Sequence, residues 1–297
     1  MQKGNSKTWL GIAAATTVYA IYGLNMVFCK DLTGPGMLSP LVLFSVRTGG
    51  AALLFWILSA FVPGEKLNAR EMGMVVLASL LLVVIPQYST LIGITMSSPY
   101  DASLVATLKP VLTLLIALLL GREKFSLKLL LGVLLTFFGA LVLVIQPASG
   151  GKAFSTSALG FFVLLLNGIS FAFYLVLFKE FVSRHKTVVM MKWMFLTAFL
   201  ISLPFSAPEL LQGQFPTFDS RMTAEIVFMV LAATFLSHFL LPVGQRNLSS
   251  TQYSLFSYVQ CIVAAIAGYF MGLESLDLQK LVASVLFIAG VAVVRRA

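Results

Sequence analysis

The sequence predicts an all-α integral membrane protein with ten transmembrane helices, arranged as two inverted five-helix repeats. Three observations predict it. The 297-residue chain is 59% hydrophobic and only 10% charged, with mean hydropathy +0.97, whereas soluble domains carry about 25% charged residues. Ten apolar segments can be marked, each bounded by charge, proline or glycine. The two halves of the chain also match each other at a nearly constant offset.

The segments are 8–29, 39–62, 72–95, 99–121, 127–146, 157–178, 187–206, 222–244, 249–271 and 278–294, each near the ~20 residues that cross a bilayer. The first follows Lys3 and Lys7, is longer than a signal-peptide core and lacks a small-residue cleavage site, so it reads as a span. With a cytoplasmic N-terminus, fourteen Lys/Arg residues fall inside. Four fall outside (Lys30, Lys152, Arg221 and Lys280), and Arg47 and Lys109 lie deep within spans. This asymmetry places the N- and C-termini in the cytoplasm, and one span more or fewer would scramble it. The net charge of +9 is then a property of span flanks. No arginine-rich tract or aromatic-basic interleaving points to nucleic acid. The stretch Ser206 to Arg221, with Pro208, Gly213 and Pro216, reads as a surface connection.

Residues 147–156 are small, polar and flexible, and divide the chain into a first repeat, 1–146, and a second, 157–297. Leu10-Gly11 and Lys30-Asp31 meet Leu159-Gly160 and Lys179-Glu180 at a shift of 149. Later the shift is 151: Gly93 meets Gly244, Ser98 meets Ser249, Gly121 and Glu123 meet Gly272 and Glu274, and Gly139 meets Gly290. Five is odd, so the second half enters the membrane from the opposite side. Inverted repeats are a common transporter plan, with the site at the midplane between the halves.

The stretch Asp101 to Glu123 carries the strongest site signal. Lys109 stands about 12 Å and about 21 Å along the axis from its two ends, near mid-membrane. A charge there is costly and marks a functional site by default. Lys109 reads as a substrate anchor or titratable switch, against a lysine paired with a carbonyl or carboxylate for structure. Its depth beside Pro110 favours the first. Pro110 and Pro86 are helix-kink candidates, since each removes a backbone donor. Arg47 is an anion clamp or a tie to carbonyls or Asp101. His238 is a proton site or, the better reading, a hydrogen-bonded structural residue. Gln87 follows Pro86, where a broken helix exposes backbone.

Matched residues lie at equal depth from opposite sides, so mid-span pairs should converge. Lys109 matches Gln260, Thr107 matches Tyr258, Gln87 matches His238 and Asn25 matches Tyr174. Tyr22, Asn25, Asn167, Tyr174, Tyr253, Tyr258 and Gln260 are cavity candidates as a group; tyrosines near span ends also serve as interfacial anchors. The two cysteines, Cys29 and Cys261, make neither a disulfide framework nor a metal spacing. No metal or cofactor is expected.

The chain resembles the drug/metabolite transporter superfamily, in its two-repeat EamA-type branch. The resemblance is carried by Tyr22-Gly23 in span 1 and by Pro40 followed by Arg47 in span 2. "SSPYDASLVATLKPVLT" with "GREKFS" and "GVLLTFFGALVLV" carries it in spans 4 and 5, and "SSTQYSLFSYVQCIVA" with "GLESLDL" and "GVAVV" in spans 9 and 10. It implies a central cavity lined by spans 1–4 and 6–9, export as the commoner direction, and a bacterial cytoplasmic (inner) membrane. Two departures stand out. Cys261 replaces Pro110 in the second copy, which removes the reason for a kink there, and Arg47 has no basic counterpart in span 7.

The expected function is a secondary transporter of a small metabolite. Lys109 and Arg47, with no matching deep carboxylate, favour a substrate with an anionic group, such as an amino acid or organic acid. Protons are the candidate coupling ion, against facilitated flow. No GxxxxGK[ST] loop supports an ATP-driven pump. The alternatives are an integral-membrane lipid-modifying enzyme, for which no nucleophile–base pair or HExxH set is found, and a non-transporting scaffold. No enzymatic role is expected. Monomer and homodimer both stay open.

Overall fold

The computed structural model describes residues 2–96, 102, 105–106, 108–144, 158–213 and 216–270, with the single positions 285, 289 and 293. The linker 147–156, Asp101 and Thr107 lie outside the described residues, as does all of the expected span 278–294 except those three positions.

Helices account for nearly all of the described chain. α1 runs Gln2–Leu32. α2, Pro40–Ser59, begins where the Ser39 hydroxyl accepts from Val42 N–H and Pro40 takes the first turn, a position where its missing donor costs nothing. α3, Ala69–Ser79, is started by a reciprocal Asn68–Glu71 cap. It passes through a π turn, Leu80–Val84, into α4, Ile85–Thr95. α5 is Lys109–Leu119 and α6 Leu127–Val144. α7, Ala158–Leu177, leads to the short α8, Lys179–Arg184, and α9, Thr187–Gln212. α10, Ser220–Val230, passes through a second π turn, Leu231–Leu236, into α11, Ser237–Asn247. α12, Ser250–Leu255, and α13, Ser257–Phe270, follow.

Among the described residues, six helical stretches are long and apolar enough to cross a membrane: Ser6–Leu32, Pro40–Ser59, Ala69–Thr95, Leu159–Leu177, Thr187–Gln212 and Ser220–Asn247. Leu53, Leu119, Leu200 and Phe205 are exposed on the outside. An apolar surface on this scale is suited to lipid.

Three sequence expectations need correction. The fourth span is not one helix with Lys109 near its middle. The chain turns at Leu108, whose N–H donates to Val105 O at 3.1 Å, and Lys109 opens α5. Pro110 therefore sits in a first turn and kinks no continuous helix. The second copy breaks as well, at Phe256 between α12 and α13, although Cys261 occupies the place of Pro110. The expected connection after Ser206 is helical as far as Gln212, with Pro204 and Pro208 inside α9. Their four-residue spacing puts both missing donors on one face of the helix. Gly213, at φ +63°, ends it in the left-handed conformation.

The helices pair across the two halves of the chain. α1 packs on α11 and α13, α7 packs on α4 and α5, and α2 packs on α9. These contacts exchange with one another under the 149–151 residue shift. The closest approaches need glycine. A Cβ on Gly23 would lie 2.7 Å from the Gln260 carbonyl oxygen, and one on Gly93 would lie 2.6 Å from the Leu164 side chain.

Polar ties join the halves at both ends of the bundle. At the lysine-rich end, His185 Nδ1 donates to Glu65 Oε1 at 2.6 Å and Lys186 N–H to Glu65 Oε2 at 3.0 Å. Burial alone would raise the Glu65 carboxyl, but these hydrogen bonds outweigh it and hold it below its ordinary value. Arg122 pairs with Glu180 at 2.6 Å, and Glu123 accepts from Thr251 N–H at the start of α12. At the other end Arg221 pairs with Asp31, and Ser39 donates to Glu209 at 2.7 Å.

Candidate functional site

Where α1, α2, α4, α5, α7, α11 and α13 meet, they line a cavity of about 70 Å³. That is room for about five waters, and well below the ~300 Å³ of a typical open ligand pocket. Helical spacing explains which side chains reach it. Tyr22, Asn25 and Met26 share one face of α1. Pro86, Gln87 and Thr90 share one face of α4, and Leu164, Asn167 and Phe171 share one face of α7. Arg47, Leu82, Ala102, Ala106, Lys109, His238 and Gln260 complete the wall.

Both basic side chains are buried: Arg47 is 3% exposed and Lys109 8%. Among the described residues no carboxylate lines the cavity. Lys109 Nζ lies 5.2 Å from the centre of the Phe171 ring, and no hydrogen bond or ion pair holds it among the described residues. Its place at the first residue of α5 adds the positive end of a helix dipole to its own charge. Arg47 reaches across to the second half. Its Nε donates to Thr234 Oγ1 at 3.0 Å, and its Nη1 contacts Cys29 Sγ at 3.7 Å. The structure thus ties Arg47 to a hydroxyl of the second π turn.

The matched pair Gln87 and His238 meets, with Gln87 Nε2 and His238 Nε2 3.4 Å apart. Lys109 and its match Gln260 share the cavity wall. Asn25 reaches the wall but its match Tyr174 does not. Tyr174 is buried elsewhere, stacked on Phe178 with ring centroids 5.7 Å apart. Tyr258 packs in an apolar cluster with Leu114, Val133 and Leu255. Tyr253 is buried against Tyr19.

Around Pro86 the backbone is satisfied by its own helix, where Ser89 Oγ donates to Ile85 O at 2.5 Å and Thr90 Oγ1 to Pro86 O at 2.8 Å, and by the opposite half. Asn167 Nδ2 donates to Pro86 O at 2.7 Å and to Thr90 Oγ1 at 2.5 Å, and Ser170 Oγ donates to Leu81 O at 2.9 Å. Irregular backbone at membrane depth needs such partners. Three carboxamide oxygens on the wall, Asn25 Oδ1, Gln87 Oε1 and Gln260 Oε1, are buried with no hydrogen-bond partner among the described residues. The wall therefore presents two cationic donors and three bare acceptors.

Sequence reasoning missed Thr90 and Phe171. Both were findable by helical spacing, three residues from Gln87 and four from Asn167. It also missed Thr234, which stands behind the wall and is reached only through Arg47.

A family model described as the EamA-like transporter family matches the chain twice, over residues 9–145 and 158–296. Over 292 residues the chain is 21% identical to an Archaeoglobus fulgidus protein named "Uncharacterized transporter", covering 98% of this chain and 99% of that protein. It is 24% identical over 263 residues to "Uncharacterized transporter YyaM" of Bacillus subtilis, covering 86% and 84% of the two. A solved structure described only as "Crystal structure of protein" superposes with TM-score 0.76 at 17% identity, over 98% of each chain. That last likeness speaks to the fold alone.

Proposed function

The chain belongs to the EamA-like transporter family, and on that premise we propose that it is a membrane transporter that binds a small metabolite with an anionic group in the central cavity. The substrate class is an amino acid or organic acid. Transport runs by alternating access between two inverted five-helix halves of a ten-helix protein, in the direction of export, with both termini cytoplasmic.

One observation carries the substrate reading: Lys109 and Arg47 are buried on one cavity wall that contains no carboxylate among the described residues. A buried charge without a counter-charge is costly, and an anionic ligand removes that cost. The double family match and the exchange of helix contacts under the repeat shift support the two-half mechanism. So do the polar ties that join the halves at both ends. Opening one set at a time exposes the site to one side only.

The test is transport by the purified full chain in proteoliposomes. Labelled amino acids and organic acids are offered, with quaternary ammonium drugs as competitors. The expected result is that anionic compounds cross faster than in empty vesicles, and that Lys109→Gln removes most of this. Transport confined to cationic or neutral compounds overturns the anionic reading. No transport of any small metabolite overturns the proposal as a whole.

A further inference from the structure

Hydrogen bonding around the second π turn has a direction that can be followed atom by atom. Thr234 Oγ1 lies 2.6 Å from the Met229 carbonyl oxygen, five residues back. The π turn brings that partner into reach, where an α-helix would offer Val230. A carbonyl only accepts, so the hydroxyl proton is committed to it. The same oxygen then accepts from Arg47 Nε at 3.0 Å. The Thr234 carbonyl lies 2.8 Å from His238 Nδ1, so Nδ1 carries a proton. With the ring neutral, Nε2 is an acceptor, and the Gln87 amide nitrogen answers it at 3.4 Å. The amide is thereby oriented with its nitrogen on His238, and Oε1 is left buried without a partner on the cavity wall.

We infer that Thr234 and His238 are positioning residues that set the polarity of the cavity. Thr234 fixes Arg47 through its hydroxyl and His238 through its carbonyl, and His238 in turn presents Gln87 to the substrate as an acceptor. The site then selects a ligand that carries an N–H or O–H donor beside its anionic group. Asn25 Oδ1 and Gln260 Oε1, also bare, add to the same demand. A site built around such acceptors rejects an analogue lacking the donor, because the acceptor is left unpaired. The inference rests on the transport reading of the same cavity.

The experiment measures binding to the purified full chain by competition and thermal stabilisation. The probes are amino acids and their deamino partners: alanine and propionate, leucine and 4-methylpentanoate, phenylalanine and 3-phenylpropionate. The wild type is expected to prefer the amino member of each pair by at least about tenfold. His238→Phe frees the amide and lowers that ratio below about threefold, with the deamino acid bound within about twofold of wild type. Thr234→Val weakens both members of each pair by about tenfold with the ratio unchanged, and Thr234→Ser restores them. Gln87→Met removes the oxygen itself and repeats the His238→Phe result, which decides the matter where the His238 variant does not fold. A wild type with no preference for the donor overturns the inference. So does a ratio unchanged in Gln87→Met. Failure of every anionic probe to bind the wild type is a different outcome, which removes the transport reading and this inference with it.

Discussion

The π turns of the two halves occupy matched positions, Leu80–Val84 and Leu231–Leu236, yet they satisfy their backbones in opposite ways. The first is wholly apolar in sequence and draws on the other half of the molecule, in addition to the Thr90 hydroxyl of its own helix on Pro86 O. Ser170 takes the carbonyl of Leu81, and Asn167 takes that of Pro86. The second is self-sufficient. Thr234, Ser237 and His238 bond to carbonyls of their own helix, and Thr234 and His238 still have capacity for Arg47 and Gln87. Ser237 stands where Pro86 stands in the first copy. Proline disrupts a helix by lacking a donor, and serine by bonding back to its own turn. One geometry thus serves as a dock in the first half and as a source of polarity in the second.

Charge removal is the strongest way to break this division. Lys109→Gln is expected to weaken binding of anionic substrates about 100-fold, within the range for stripping one buried charged partner. Radioligand displacement checks it. Arg47→Met, which detaches the first half from Thr234, is expected to cost about thirtyfold. It leaves the Gln87–His238 pair in place, so discrimination between donor-bearing and donor-free ligands persists.

Asn167→Leu tests the dock. It removes the donor that the other half lends to the carbonyl of Pro86, which keeps the Thr90 hydroxyl at 2.8 Å, and is expected to destabilise the protein by about 1 kcal/mol, read as a lower thermal midpoint in detergent. A midpoint unchanged from wild type would mean that the first π turn needs no partner. Val83 is the counterpart of Thr234, 151 residues earlier. Val83→Thr is expected to cost less than about 1 kcal/mol, because the turn offers the new hydroxyl a carbonyl five residues back.

The smallest effect lies at the lysine-rich end. Glu65 is held below its ordinary value, so its contribution is fully present above the ordinary glutamate pKa of about 4.3 and lost as pH falls through the lower folded value. Glu65→Gln should flatten the acid side of the stability profile by lowering the stability at neutral pH toward the acid value. A variant that still loses stability below about pH 4 as steeply as wild type assigns that loss elsewhere.

Spacing and repetition made much of this legible. The third expected span, 72–95, lies within the continuous stretch Ala69–Thr95, and the eighth, 222–244, within Ser220–Asn247. The repeat shift singled out Gln87 and His238 before any geometry was known, because residues at equal depth on crossing helices have few places to go but toward each other. The π turns left no trace in composition, since an extra residue per turn needs no special side chain. The break at Phe256 has neither proline nor glycine to announce it. Pro208 misled in the other direction. It reads as a loop residue, yet a helix tolerates it together with Pro204 when their bare carbonyls share one face. Tyr174 and Tyr258 show the limit of the repeat argument, which fixes depth along a helix but not the direction in which a side chain faces.

Both cysteines are buried and outside any disulfide among the described residues, and each sits one contact behind the wall: Cys29 against Arg47, Cys261 beside Gln260 in the chain. The protein therefore carries its own chemical clock. A small maleimide should react slowly with the closed form and faster with any form in which the halves part. The ratio of the two labelling rates, read by mass spectrometry, then reports which helix pair opened without a single engineered cysteine.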